Sequence, residues 1–239
     1  MGGLNLDVED VHSTILRTGW AVCDAAAERG VLEVLDDELA TAISYLEPYQ
    51  YPFGEQRRLT VPELADDRRF PATTEAMLTG AIADVCALYG ARDDADLVVW
   101  SHEFEPDTEA IYGRPHFDRR HQLKAFLYLD DVDEHNGPTH VANEAPEEFH
   151  DRWVASWRKA LGMRTDPDGD VVRAARQTPE GSNVYRSVEC EVDTLRANFR
   201  PLVGSAGTVV FFDTSLAHFG GLVRQASSRR TVRRHCLLD

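Results

Sequence analysis

Residues 207–221 read GTVVFFDTSLAHFGG. The apolar run at 209–212 predicts a buried β-strand, and Asp213 and Thr214 predict a sharp turn at its end. After the turn, His218 stands directly before a glycine-rich exit, where a β-rich domain commonly presents ligands at its mouth. The segment therefore indicates a β protein with a histidine at the edge of a site, with a core histidine at a strand end as the alternative.

Apolar, strand-forming runs recur through the second half of the chain, and turn residues separate several of them. A helix interrupts this region near 146–162, with Pro146 at its first position and acidic residues in its first turn. The other predicted strands lie at 97–100, 123–129 and 231–238, and the turn signals lie at 136–138 and 204–207.

The first third of the chain is predicted to be helical, with a short strand at 19–22 and an aromatic- and proline-bearing loop at 48–71. Helices followed by many short strands indicate a mainly β fold with flanking helices, a sandwich or barrel that the helices buttress. One domain is expected over 1–239, with a helical part at about 1–95 and a β core at about 96–239. The apolar helix stripes are Val8, Val11, Ile15 and Leu16; Leu32, Leu35, Leu39, Ile43 and Leu46; and Met77, Ala81, Val85 and Leu88.

The composition limits the classes of function. The chain has 239 residues, enough for one domain with a core of its own. It carries 25 basic and 41 acidic residues, a formal charge of -16, which disfavours a nucleic acid or an anionic membrane as a partner. No apolar run approaches the roughly 20 residues that span a bilayer, and no secretory leader is recognised. The four cysteines have no paired spacing, so a cytoplasmic protein is expected.

His116 and Asp118 are the first candidate metal ligands. In an extended segment, their spacing of two places both side chains on one face of the strand. A histidine and a carboxylate are two corners of the facial triad of non-haem Fe(II) oxygenases, and His218 is the candidate third ligand. A surface histidine beside a capping aspartate is the alternative for the first pair alone. The other seven histidines are expected to be structural.

Four arginines lie near the C-terminal end, in the sequence SSRRTVRR. A buried dicarboxylate needs a fixed cation, and a guanidinium group binds a carboxylate through two parallel hydrogen bonds. On a strand, Arg229, Thr231 and Arg233 share one face. Arg230 and Arg234 lie on the opposite face. At least two of the four arginines are expected to form a basic surface patch instead.

These motifs resemble the phytanoyl-CoA dioxygenase family of 2-oxoglutarate-dependent oxygenases, with gaps, from about Val11 to the C-terminus. Residues 116–118 match its metal motif, 207–218 match its distal-histidine segment, and 123–138 are similar to its strand and Asn-Gly-Pro turn. The resemblance implies a double-stranded β-helix core of the jelly-roll or cupin type. It implies iron(II) ligation by His116, Asp118 and His218, and it gives Arg229 the role of binding the far carboxylate of 2-oxoglutarate.

Other positions are candidates for binding the co-substrate or the substrate. Members of the family often carry a hydroxyl two residues after the distal histidine, where this chain has Gly220. Thr231 or a residue of the strand at 98–104 is the expected replacement. Arg114, Arg120 and Lys124 lie near the metal motif and are candidate contacts to a substrate carboxylate. Because Lys124 stands in a very apolar strand, we expect its charge to face the cavity or to pair with an acid.

The resulting hypothesis is an enzyme that binds Fe(II) and 2-oxoglutarate, consumes O2 and hydroxylates an unactivated C–H bond, with release of succinate and CO2. The expected substrate is a small metabolite, an amino acid or a natural-product intermediate. Two alternatives stay open. One is a cupin-like, non-oxidative metalloenzyme with another metal on the same ligands, and the other is a catalytically silent small-molecule-binding relative.

Overall fold

The helices lie mostly in the first part of the chain. No helix in the described ranges is long and apolar enough to cross a membrane. The computed structural model describes residues 4–49, 54–104, 115–118, 121–144, 146–160, 187–189, 199–224 and 227–238. The α-helices there are α1 (Val8–Thr18), α2 (Arg29–Tyr45), α3 (Val61–Asp66), α4 (Pro71–Thr74), α5 (Ala81–Leu88) and α6 (Pro146–Ala160), and a π-helical turn (Glu75–Thr79) follows α4.

The strands pair in two antiparallel sheets. They are β1 (Trp20–Cys23), β2 (Gly54–Thr60), β3 (Arg92–Phe104), β4 (His116–Asp118), β5 (Gln122–Tyr128), β6 (Thr139–Ala142), β7 (Ser187–Glu189), β8 (Phe199–Leu202), β9 (Val209–Asp213), β10 (His218–Gly220) and β11 (Ser228–Leu237). The larger sheet has the order β1-β9-β5-β11-β3-β2, and the smaller sheet has the order β7-β4-β10-β6-β8. The strands predicted at 97–100, 123–129, 209–212 and 231–238 and the helix predicted near 146 are thus confirmed.

The larger sheet lies between the helices and the smaller sheet. Successive residues along its strands point to opposite faces, so both faces carry apolar side chains. Towards the helices it presents a core that includes Val98, Trp100, Leu127, Phe211 and Val232. Towards the smaller sheet it presents Phe126, Tyr128, Val210 and Phe212, which pack with Val141, Leu202 and Leu216. The space between the two sheets is therefore the interior in which a site can form.

The first helix shows how far the apolar pattern predicts burial. Asp7 caps the first turn of α1, and Gly19 ends the helix with a φ of 76°, a left-handed conformation that costs glycine little. Val11 and Ile15 are buried, but Leu16, predicted on the same face, is 56% exposed. The buried stripe is narrower than predicted because Leu16 lies about 100° around the helix axis from the buried Ile15.

The stretch at 48–71 was predicted to be a loop, and in its described part this prediction is wrong. β2 reads GEQRRLT and has no apolar alternation. It forms because the backbone from Gly54 to Thr60 pairs with β3 as the outermost strand of the larger sheet. α3 follows at once, since Thr60 and Glu63 form a capping box at its first turn. Backbone pairing and capping thus decide a segment that lacks a hydrophobic period.

Candidate active site

β4 and β10 place two candidate ligands side by side. In the antiparallel register, His116 lies directly opposite His218. Burial alternates along β4. The side chain of Phe117 is buried, whereas the side chains of His116 and Asp118 are 17% and 18% exposed. The Trp153 indole N–H donates to the backbone carbonyl of Asp118 at 3.0 Å. The predicted convergence of the β4 pair is therefore present, and α6 holds the end of the strand.

Asp213 fixes the turn that leads from β9 to His218. Its carboxylate accepts from the Ser215 backbone N–H at 2.7 Å and from the Tyr89 hydroxyl at 2.8 Å, and His121 Nε2 lies 2.8 Å from Oδ2. Burial by itself would raise the pKa of Asp213, but the His121 ring and the Ser215 donors outweigh it and lower the pKa below 3.8. The carboxylate is thus ionised and holds the turn in place.

Three ligand-type atoms meet between the two sheets. Asp118 Oδ1 lies 3.7 Å from His116 Nε2 and 3.6 Å from His218 Nε2. The two imidazole rings are 4.6 Å apart between their centroids, and all three groups place a ligand atom within 4.8 Å of one another. The structure thus brings together the three residues that the sequence singled out as metal ligands.

The hydrogen bonds of His218 assign its tautomer. Its Nδ1 lies 2.9 Å from the Leu216 carbonyl oxygen, so in the neutral ring Nδ1 carries the proton and Nε2 carries the lone pair. Nε2 is buried and has no hydrogen-bond partner among the residues that the structure describes. A metal-binding histidine has this arrangement, with the far ring nitrogen held by a carbonyl.

Asp118 supplies the negative charge of the cluster. Burial by itself would raise its pKa, but the Lys124 ammonium, with the rings of His218 and His116, outweighs burial and holds the pKa well below 3.8. Two imidazole nitrogens and one carboxylate oxygen form the donor set of the facial triad. The buried, unpartnered Nε2 of His218 shows that these residues fit a divalent metal ion.

Arg229 and Arg233 extend from β11 into the same interior space and share one carboxylate, that of Glu103. Arg229 Nε donates to Glu103 Oε2 at 2.8 Å, and Arg233 donates to Oε1 at 2.5 Å. Arg229 also donates to the backbone carbonyl of Gly137. Burial by itself would raise the pKa of Glu103, but the two guanidinium groups lower it to about 2. Two guanidinium groups thus share one ionised carboxylate.

The other two arginines face away from this space. Arg230 pairs with Asp130 and Asp36, and Arg234 Nη2 lies 2.9 Å from Asp96 Oδ2 inside the core. Of the four arginines, three are buried, namely Arg229, Arg233 and Arg234. The expected basic surface patch is therefore wrong, because acidic residues from distant parts of the chain compensate these charges.

The remaining candidate residues have different placements. Thr231 is buried, and its hydroxyl accepts from Arg233 Nε at 2.7 Å, so it lies beside the arginine pair. Lys124 Nζ lies 2.6 Å from Asp118 Oδ2, so of the two expectations for Lys124, pairing with an acid is the one observed. Arg114 and Arg120 lie outside the described residues.

Sequence reasoning did not identify Glu103 or His235 as parts of this interior. Glu103 is buried near the end of β3, a position at which a charge needs a partner, yet nothing in the sequence identifies that partner. His235 was expected to be structural. Its Nε2 is buried without a hydrogen-bond partner among the described residues, and burial, then Lys124 and Arg233, holds its pKa well below 6.5. It therefore stands as a neutral ring near Asp118.

No family model and no curated protein matches this chain, but solved structures do. The non-haem alpha-ketoglutarate-dependent epimerase SnoN from nogalamycin biosynthesis matches 97% of this chain and 80% of its own, with a TM-score of 0.56 and 14% identity. A Pseudomonas putida prolyl-4-hydroxylase matches 97% of this chain and 99% of its own, with a TM-score of 0.56 and 14% identity. EvdO2 from Micromonospora carbonacea var. aurantiaca, solved with 2-oxoglutarate, matches 100% and 94%, with a TM-score of 0.54 and 14% identity.

At this level of identity the comparison shows the fold. The predicted mainly β architecture, a jelly-roll core with flanking helices, is confirmed. Among these neighbours, SnoN is described as non-haem and alpha-ketoglutarate-dependent, and EvdO2 was solved with 2-oxoglutarate. The narrower resemblance to the phytanoyl-CoA dioxygenase family stays a prediction, because no family model matches.

Proposed function

We propose that this chain is an Fe(II)- and 2-oxoglutarate-dependent oxygenase that hydroxylates an unactivated C–H bond of a small metabolite, such as an amino acid or a natural-product intermediate. The observation that carries the proposal is the convergence of Asp118 Oδ1 with the Nε2 atoms of His116 and His218. Structural neighbours support it, since SnoN was solved with Fe3+ and alpha ketoglutarate, and HygX with nickel and 2-oxoglutarate.

His116, Asp118 and His218 would hold the metal ion on one side and leave the other side for exchangeable ligands. When bound, Fe(II) supplies the reaction of O2 with 2-oxoglutarate, in which CO2 leaves, one oxygen atom enters succinate and the other enters the substrate. The Leu216 carbonyl keeps His218 Nε2 directed at the ion. These residues therefore determine where the oxidation takes place.

Arg229 would orient 2-oxoglutarate. Its guanidinium group already binds one carboxylate, that of Glu103, and Arg233 holds the other oxygen of that carboxylate. A guanidinium group that binds one carboxylate in this space suits the far carboxylate of a dicarboxylate as well. Thr231, whose hydroxyl contacts Arg233, lies where it can add a hydrogen bond.

The walls of the interior would keep bulk water from the reacting atoms. Phe212 packs against His218 with 5.3 Å between ring centroids. Further buried apolar side chains pack in the same cluster as Phe212, and apolar walls strengthen the electrostatic interactions inside. They are Phe126, Val210 and Leu216.

The experiment compares wild type with His116→Ala, screened for metabolites that stimulate succinate release under air. We expect His116→Ala to bind Fe(II) weakly in calorimetry and to release no substrate-dependent succinate. His135→Ala is the matched control, because His135 is exposed and distant in the chain from the metal motif. Retained turnover in His116→Ala would overturn the proposed ligand set. A product that gains one oxygen atom supports hydroxylation. An isomer of the substrate points instead to epimerisation, as named for SnoN, and a ring-closed product points to cyclisation, as named for the carbocyclase SnoK from nogalamycin biosynthesis.

A second candidate function is a non-oxidative metalloenzyme on the same three ligands. It is favoured by one observation, that Glu103 already engages Arg229, so that no dicarboxylate is needed to compensate the arginine. Such an enzyme would turn over its substrate without O2 and without 2-oxoglutarate. Activity under strict anaerobic conditions separates the two candidates.

A further inference from the structure

Lys124 is an ammonium group placed inside the sandwich. It stands on β5 between the buried residues Leu123 and Ala125, and its side chain is 13% exposed. Its Nζ lies 2.6 Å from Asp118 Oδ2 and 5.8 Å from the centre of the Phe212 ring. A charge in such surroundings is costly unless a specific partner compensates it. Here the partner is one of the three candidate metal ligands.

The two carboxylate oxygens of Asp118 face different groups. Oδ1 faces the imidazoles, at 3.7 Å from His116 Nε2 and 3.6 Å from His218 Nε2. Oδ2 faces Lys124. A carboxylate binds a metal ion through one oxygen or through both. Oδ1 is thus the oxygen in contact with the two imidazoles, and Oδ2 is the oxygen in contact with Lys124.

We propose that Lys124 is a positioning residue that keeps Asp118 bound to the metal through one oxygen, and so leaves a coordination position open for 2-oxoglutarate. This inference rests on the proposed function. In this role Lys124 acts through its contact with Asp118, and a contact of Lys124 to a substrate carboxylate stays a prediction. Two-oxygen binding by Asp118 would compete with a co-substrate that needs two positions of its own.

Removing the ammonium group of Lys124 should affect the binding of the metal ion and the binding of 2-oxoglutarate differently. In Lys124→Met, Oδ2 of Asp118 loses the ammonium group that lies 2.6 Å from it, and a positive charge next to the metal is lost. Metal binding is therefore not weakened. Binding of 2-oxoglutarate to the loaded protein is weakened by about tenfold, or about 1.4 kcal/mol, because a coordination position is lost. A purely structural role for Lys124 would weaken both together.

The test uses the full chain under anaerobic conditions, as wild type, Lys124→Met, Lys124→Arg and the control Lys159→Met on the exposed side of α6. Calorimetry gives the Fe(II) dissociation constant, and the visible charge-transfer band gives that of 2-oxoglutarate. X-ray absorption of the Co(II)-loaded protein without 2-oxoglutarate reports the distance from the metal to the carboxyl carbon, which is shorter when both oxygens bind. We expect this shorter distance and the tenfold loss only in Lys124→Met, with Lys124→Arg close to wild type.

An unchanged carboxylate binding mode in Lys124→Met overturns the proposal, as does an equal loss of metal and 2-oxoglutarate affinity. If Lys124→Met does not fold by circular dichroism, Lys124→Leu gives the same test, since it removes the ammonium and leaves no hydrogen-bond donor beside Asp118. The proposed function fails separately, if wild type with Fe(II) and 2-oxoglutarate shows no charge-transfer band. The Co(II) measurement still decides the role of Lys124 in that case.

Discussion

His116 and His218 face each other across adjacent antiparallel strands, with their imidazole centroids 4.6 Å apart. This pairing in register explains how a site forms from two distant segments of the chain. The β4 strand contributes a histidine and a carboxylate, and β10 contributes the second imidazole at the same level. Backbone pairing, rather than contact between the side chains themselves, fixes the separation of the ligands.

The first prediction concerns Arg229. Arg229→Ala should raise the apparent KM for 2-oxoglutarate at least tenfold, with a smaller effect on kcat, because a charge-assisted contact contributes about 1.5–3 kcal/mol. Arg233 still binds Glu103 in this variant, so the fold should persist. Steady-state kinetics with varied 2-oxoglutarate measures the effect.

Arg230→Ala is the matched control for that prediction, because Arg230 binds Asp130 and Asp36 on the opposite face of β11. It should leave the KM for 2-oxoglutarate within about twofold of wild type. If Arg229→Ala has no effect and Arg233→Ala raises the KM instead, the role belongs to Arg233.

The second prediction concerns pH and Asp213. Since its folded-state pKa is lowered below 3.8, the stability it contributes is fully present above its unfolded pKa and is lost as pH falls through the folded pKa. Asp213→Asn should therefore destabilise the fold by about 2–3 kcal/mol at pH 7. The difference from wild type should shrink as pH falls below about 4.

Urea denaturation across this pH range measures the effect of Asp213→Asn. Asp37→Asn is the control, because Asp37 is an exposed carboxylate on the surface of α2. A destabilisation by Asp213→Asn that is the same at pH 7 and pH 3 would speak against an ionised Asp213 in the folded state.

The third prediction concerns the buried pair of Arg234 and Asp96. Arg234→Met should cost about 3–5 kcal/mol, because it leaves the charge of Asp96 buried without its guanidinium partner. The double variant Arg234→Met with Asp96→Asn should recover part of this loss. A double-mutant cycle by urea denaturation measures the coupling. Additive effects of the two substitutions would contradict a strong buried pair.

The ligand motif was predictable because it depends on local geometry. A spacing of two in an extended segment is enough to place His116 and Asp118 on one face. The turn residues at the end of β9 likewise predicted that the chain turns sharply after a buried strand and then reaches His218. Such signals use only neighbouring residues, so a single sequence contains them.

The partners of the buried charges were not predictable in the same way. Glu103 meets Arg229 across 126 positions of the chain, and the sequence around either residue gives no sign of the other. β2 was missed because backbone pairing at a sheet edge holds it without an apolar alternation. Pairing between residues that are distant in the chain determines these features, and the hydrophobic periodicity of a segment does not identify its distant partner.

The most direct measurement of the central claim is an anaerobic titration of the wild-type protein with Fe(II) and 2-oxoglutarate, followed in visible light. A weak metal-to-ligand charge-transfer band should appear, saturate at about one equivalent of each ligand, and be absent in His218→Ala. No band in wild type that binds Fe(II), or a full band in His218→Ala, would contradict iron and 2-oxoglutarate binding at His116, Asp118 and His218.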